Sequence, residues 1–152
     1  MINDVIKQLE YIAKTIEQLF QYVDVEIQHR QPIANKMSLW EVCVHLAQIP
    51  KADLLILEGY SEEQMANYYY VNTPVSIDNA KKLFLAGIQE LICLCEKLTK
   101  EQLDKKFTTY WKSEYSTAEW LMQIVTHLAH HRAQLYQYLL MLNRDVEIVL
   151  FR

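Results

Sequence analysis

The chain has 152 residues, 51% of them apolar, with 2 glycines, 3 prolines and a formal net charge of −4. That length suits one domain with a real core, residues 1–152, and so few breakers exclude a fold of many short strands and turns. Scattered basic residues exclude the Lys/Arg cluster of a nucleic-acid-binding face, and the lack of any apolar run of about 18 residues excludes a membrane-spanning helix.

The periodicity predicts a first helix from about Asn3 to about His29. Val5, Leu9, Ile12, Ile16, Leu19, Phe20 and Val23 recur at three- and four-residue steps. Pro32 stops it, because a residue before proline avoids the helical region. A second helix opens at Ser38, where Ser38 and Glu41 have the spacing of a capping box, and runs to about Glu58 with Gly59 as a left-handed cap. Pro50 lies inside it and is expected to kink it. Residues 60–76 read as a long, tyrosine-bearing connection. A third helix spans about Ile77 to Leu98, and Thr99 to Gln102 caps one short turn. A second connection covers about 103–115. The last helix opens with the box Ser116 to Glu119 and runs to about Leu142, with Asn143 as C-cap. The apolar tail, Val146 to Phe151, is expected to pack back on the helices. Four amphipathic helices of this kind make an all-α four-helix bundle with two long connections.

Three of the five histidines stand out by position. His127 and His131 are spaced i, i+4, so they stack on one helix face. With His127 at zero and about 100° per residue, His131 lies at about 40° and Ile124, Leu135 and Leu128 at about 60–100°. Both histidines therefore occupy the core-facing stripe, whereas His130, at about −60°, falls on the polar side. On the second helix His45 shares an arc of about 80° with Val42, Ile49, Ala52 and Ile56, so it also points inward. A lone inward histidine is usually a core residue hydrogen-bonded to a neighbour. Three in one small bundle need a shared set of polar partners, and a metal ion is the economical one. Three neutral nitrogens suit zinc, nickel, iron or a similar divalent ion and leave a position open.

Gln134, at about −20°, is in line to orient a ligand or to edge the buried face. Glu41 is accounted for by capping. The tyrosines at 68–70, with Tyr110 and Trp111, line or cover a pocket, or else form satellite core or an oligomer surface. Cys43 reads as core. An odd set of three cysteines (Cys43, Cys93, Cys95) without framework spacing, and no signal-peptide pattern, point to reduced thiols and a cytoplasmic protein. A ferritin-like di-metal centre is excluded, since only Glu26 and His29 have its spacing.

Trp40-x4-His45-Leu46-Ala47, taken with His127-x3-His131-Arg132-Ala133-Gln134-Leu135, resembles the DinB/YfiT-like superfamily. The resemblance follows the helix order over nearly the whole chain and is most specific from Trp120 through Leu139. The family commonly has glycine where Ala133 stands, which leaves the histidines untouched. The resemblance implies a four-helix bundle with a mononuclear three-histidine site, and by residue match His45, His127 and His131 are its metal ligands. It also implies a homodimer and a link to stress or damage responses. Some branches are thiol S-transferases that use bacillithiol or mycothiol, and others are tied to thiol-dependent isomerisation.

The resulting expectation is a divalent-metal-dependent enzyme, with zinc or nickel first and iron or manganese as alternatives. It would join a low-molecular-weight thiol to a small electrophile, without nucleic acid or membrane as partner. The rival expectations are a non-catalytic metal- or ligand-binding stress-response protein and a metal-dependent hydrolase.

Overall fold

The computed structural model describes residues 2–151. Its helices start where a small hydroxyl side chain meets an orphan backbone N–H. Ser38, Ser61, Thr99 and Ser116 each accept from the backbone three residues on, and Glu41, Gln64, Gln102 and Glu119 each reach back to the cap's own N–H. Ser76 caps in the same way from one side. The elements that follow are α1 (Ile2–Phe20), α2 (Leu39–Leu57), α3 (Glu62–Val71), α4 (Ile77–Lys97), α5 (Lys100–Asp104), β1 (Lys106–Thr108), β2 (Glu114–Ser116) and α6 (Thr117–Met141).

Two predicted spans need correction. The first helix ends at Phe20, not near His29, and residues 21–29 form turns. The Asp24 carboxylate accepts from the backbone N–H of Glu26 and Ile27, which gives the chain a local alternative to helix. Val23 and Ile27 stay buried in these turns, so the apolar spacing continues past the helix itself. Residues 60–76, expected as a connection, hold α3. Its signal was the box from Ser61 to Gln64, since only Met65 and Tyr68 of this helix are buried. The second connection is α5 followed by a hairpin in which Phe107 pairs with Tyr115. The other helix limits agree with the sequence reading, and Gly59 and Asn143 hold the positive φ angles expected of C-caps, 88° and 60°.

α1, α2, α4 and α6 form the bundle. Around its square, α1 touches α4 and α6, and α2 touches the same two, so α1 and α2 are diagonal. Leu9, Ile16, Leu19, Leu46, Phe84, Leu91, Leu128 and Leu135 are fully buried between them. Burial of apolar side chains at roughly 1.5–3 kcal/mol each is the main force holding these helices together. The tail returns to this core through Val146, and the Tyr11 hydroxyl donates to the Val149 carbonyl at 2.6 Å. Arg132 faces away from the histidines: it is buried against α1, donates to Thr15 Oγ1 at 2.8 Å and lies 5.9 Å from the Tyr11 ring. It serves as a pin between α1 and α6.

α2 runs through Pro50 without a break, and α4 comes close to it there. A Cβ on Gly87 would sit 3.0 Å from Pro50 Cβ and 3.1 Å from the Lys51 backbone nitrogen, both rigid atoms. Gly87→Ala will therefore destabilise the protein although alanine is the better helix former by about 1 kcal/mol. Overpacking at about 1–3 kcal/mol outweighs that gain. A thermal melt should show a midpoint about 2–4 °C lower per kcal/mol of net loss.

Candidate metal centre

α2 and α6 are neighbours, and their facing stripes bring His45, His127 and His131 together. One nitrogen from each lies within 4.8 Å of the other two. His45 Nε2 and His131 Nε2 are 3.1 Å apart, and the ring of His45 stands 4.4 Å from that of His131 and 5.4 Å from that of His127. Among the described residues no cysteine, aspartate or glutamate joins this group. His130 is exposed at the edge of the cluster, outside the group of three, with its ring 4.7 Å from that of His131.

The outer nitrogens of the α6 pair are already engaged. His127 Nδ1 lies 3.0 Å from Asp53 Oδ2, and His131 Nδ1 lies 2.8 Å from Gln134 Oε1. Both partners are acceptors, so both Nδ1 atoms carry the proton and both Nε2 atoms present a lone pair inward. That tautomer is the one a metal ion requires, and carboxylate or amide oxygen behind the imidazole is its usual support. The donor set thus fits a divalent ion: three neutral nitrogens that could hold a metal, with a side left for a further ligand.

Asp53 was not singled out from the sequence. It stands eight residues after His45, at about 80° on the helix and just past the edge of the inward arc, so its signal was a lone acid beside an apolar stripe. Its side chain is 6% exposed. Burial raises its pKa, and the hydrogen bond and charge of His127 oppose that rise. The Trp120 indole donates to the Asp53 backbone carbonyl at 2.8 Å, tying the start of α6 to α2 at this level. Gln134, for which the sequence left both an orienting role and an edge position open, places its Oε1 behind His131.

Burial, then the neighbouring imidazoles of His131, His127 and His130, lower the His45 pKa from 6.5 to about 4. His131 is shifted the same way, by burial first, with Gln134 opposing it. These imidazoles accept protons less readily folded than unfolded, so the unfolded chain binds more protons between the two values. Their contribution to stability is complete above pH 6.5 and is lost as pH falls towards about 4. Urea melts of chelator-treated protein should show unfolding free energy falling through that interval.

A recess opens on each side of the cluster. One, of about 300 Å³, includes His127 and Asp53 in a wall that is otherwise mostly aromatic. The other, of about 540 Å³, includes His45 with Trp40, Val44 and Gln48. Tyr69 borders both. Of the aromatics picked out in the sequence, Tyr69, Tyr110 and Trp111 line a recess here, Tyr68 is buried against Gln48, and Tyr70 is exposed.

An all-α bundle with three convergent histidines on two adjacent helices defines the class. The DinB superfamily profile matches residues 8–135, and the chain belongs to that superfamily. Its structure is similar to that of a candidate DinB-family member from Exiguobacterium sibiricum 255-15, with 29% identity and a TM-score of 0.87 over 99% of this chain and 97% of that one. A DinB-like protein from Bacillus subtilis shares the fold at 16% identity and a TM-score of 0.73, covering 96% and 95% of the two chains. Another, from Bacillus cereus ATCC 10987, does so at 15% identity and a TM-score of 0.77, covering 95% of each. No protein of curated function matches the chain. No helix among the described residues is long and apolar enough to cross a membrane.

Proposed function

We propose that this chain is a metal-dependent transferase that joins a low-molecular-weight thiol to a small electrophile, with His45, His127 and His131 as the metal ligands. The observation that carries the reading is the convergence of three inward nitrogens between two recesses, with no fourth donor in the group among the described residues. A divalent ion held there, zinc or nickel first and iron or manganese as alternatives, would bind a thiolate and lower the pKa of its parent thiol.

The chain's own residues supply the rest. Asp53 and Gln134 fix the tautomer and direction of His127 and His131. Burial favours the neutral forms of His45 and His131, which leaves them free to donate lone pairs. None of the three cysteines joins the histidine cluster, and Cys93, the one partly exposed thiol, sits on α4. Cys43 and Cys95 are buried, burial pushes both thiols up (Cys95 to about 11), and neither lies in the histidine cluster. The absence of a cysteine from the histidine cluster supports a reacting sulfur that comes from outside. A hydrolase would need a base beside the cluster. Asp53 is held by His127, and Glu41 is held by the Ser38 backbone.

The test is thiol conjugation to an aryl halide, in which the S–C bond forms, the C–halide bond breaks and the thiol proton passes to buffer. Turnover is expected for metal-loaded protein and not for chelated protein or His45→Ala. Metal binding without turnover across a panel of thiols and electrophiles would favour the non-catalytic stress-response reading instead. The same proposal takes the protein as a cytoplasmic homodimer acting on a small molecule. Exposed Met122, Leu140 and Met141 on α6 support a self-association face, and light scattering at several concentrations tests it.

A further inference from the structure

The 300 Å³ recess beside His127 is built from segments far apart in sequence. α3 contributes Tyr69, the hairpin contributes Tyr110, Trp111 and Tyr115, and α6 contributes Trp120. Trp111 packs edge-on to Tyr110 with centroids 4.8 Å apart and lies 5.9 Å from Trp120, which is 5.3 Å from Tyr115. Trp111 is nevertheless 44% exposed. An indole left open at the rim of an aromatic recess has unspent apolar surface facing the space inside.

Charge narrows what fits. No lysine or arginine lines the recess, and its one carboxylate, Asp53, is already engaged by His127. An anion would meet no lysine or arginine there, and a cation, though it would find aromatic faces, would meet a carboxylate already turned to an imidazole and the like charge of any metal ion held by His127. Size narrows it further. A dry cavity of about 150 Å³ holds a benzene ring, so about twice that volume holds a two-ring compound. Beside Asp53 and His127, the polar groups are the hydroxyls of Tyr69, Tyr110 and Tyr115 and the amide of Gln123, all of which can donate. The hydroxyls of Tyr69 and Tyr110 line the recess and hydrogen-bond to no described residue. Burial first, then the Asp53 carboxylate and Tyr110, push the Tyr69 hydroxyl up to about 12, so it keeps its proton and can donate it to an acceptor.

We propose that the aromatic recess beside His127 binds an uncharged, planar compound of one or two rings bearing a hydrogen-bond acceptor. Identifying that compound with the electrophilic substrate rests on the transferase reading above; its binding does not. The ring lies against Trp111 and Trp120, and its acceptor takes the Tyr69 hydroxyl.

Coumarin, which is neutral, has two rings and carries a carbonyl, is the probe. Its dissociation constant is measured by calorimetry against metal-loaded and chelated protein, beside a coumarin carboxylate anion, the N-methylquinolinium cation and naphthalene. Coumarin is expected to bind chelated protein more tightly than the anion does, and metal-loaded protein more tightly than the cation does. Trp111→Ala should weaken it about tenfold, the size of a lost aromatic contact plus its buried area. Tyr69→Phe should weaken coumarin about fivefold, the size of one hydrogen bond, and leave naphthalene unchanged. Because Trp111 is partly exposed, its variant should retain the parent's melting point, and Tyr69→Phe removes one atom only. Tighter binding of the anion by chelated protein or of the cation by metal-loaded protein, no coumarin binding, or equal binding by both variants overturns the proposal. Coumarin binding by a protein that takes up no metal sustains the recess and sinks the transferase reading. Metal uptake with thiol turnover but no coumarin binding does the reverse.

Discussion

His131→Ala protein, expressed without an affinity tag, will be purified free of divalent metal, whereas the parent chain will carry about one ion per chain. His45 and His131 hold their Nε2 atoms 3.1 Å apart, so each is half of a close pair that joins α2 to α6. Losing either leaves two nitrogens and an open space. Removal of a residue that merely supports a ligand costs about 10–100-fold in metal affinity, and loss of the ligand itself should exceed that. Elemental analysis reads the outcome, with His45→Ala as the parallel variant. Alanine at 131 also removes one of the imidazoles that depress the His45 pKa, so the metal-free variant should not be greatly destabilised. His127→Ala is the poorer test, because it strands the buried Asp53 carboxylate and mixes a folding cost with the loss of a ligand. A parent protein that emerges metal-free, and gains no stability from added zinc, nickel, iron or manganese, would remove the metal from this reading altogether.

The histidine cluster was legible in the sequence because helix geometry is rigid. A step of about 100° per residue fixes which of His127, His130 and His131 share the face of Ile124 and Leu128, with no knowledge of the neighbouring helix. The same rigidity put Gln134 in line with the pair but left its role open until its Oε1 was found behind His131. Asp53 escaped notice because one acid beside the stripe shared by His45, Ile49 and Ile56 has no meaning until its partner is known. That partner lies 74 residues away on α6. α3 escaped for a different reason: it buries only two side chains, so its apolar periodicity is weak, and the capping box at Ser61 was its one local sign. The end of α1 was misplaced because Val23 and Ile27 continue to face the core after the helix has stopped. The hairpin has strands of three residues, too short for alternation to register, and its cross-pairing of Phe107 with Tyr115 is a tertiary fact. The recess that gives the cluster its chemical surroundings is assembled from these less legible pieces. The three histidines are thus local to two helices, whereas the pocket depends on the long connections.

Asp53→Asn separates the metal's needs from the fold's. In the parent, the carboxylate accepts from His127 Nδ1 at 3.0 Å and holds the proton on that nitrogen, leaving Nε2 bare. Asparagine is nearly the same shape but carries no charge, so Nε2 becomes a weaker donor. It can also turn its amide N–H towards Nδ1, which drives the proton to Nε2 and blocks the ligand position. Metal affinity should fall by about 10–100-fold. Stability without metal should not fall in step. Asp53 is 4% exposed and burial raises its pKa, so the folded protein already holds this charge at a cost. Removing the charge relieves that cost while the hydrogen bond to His127 survives. The chelated variant is therefore expected to melt at or slightly above the chelated parent, and the metal-loaded variant clearly below the metal-loaded parent. Paired melts with and without zinc, alongside a competition titration against a chelator of known affinity, read both arms. Equal losses in the two states would make Asp53 a packing residue for α2 and α6. A loss confined to the loaded state makes it the residue that aims His127.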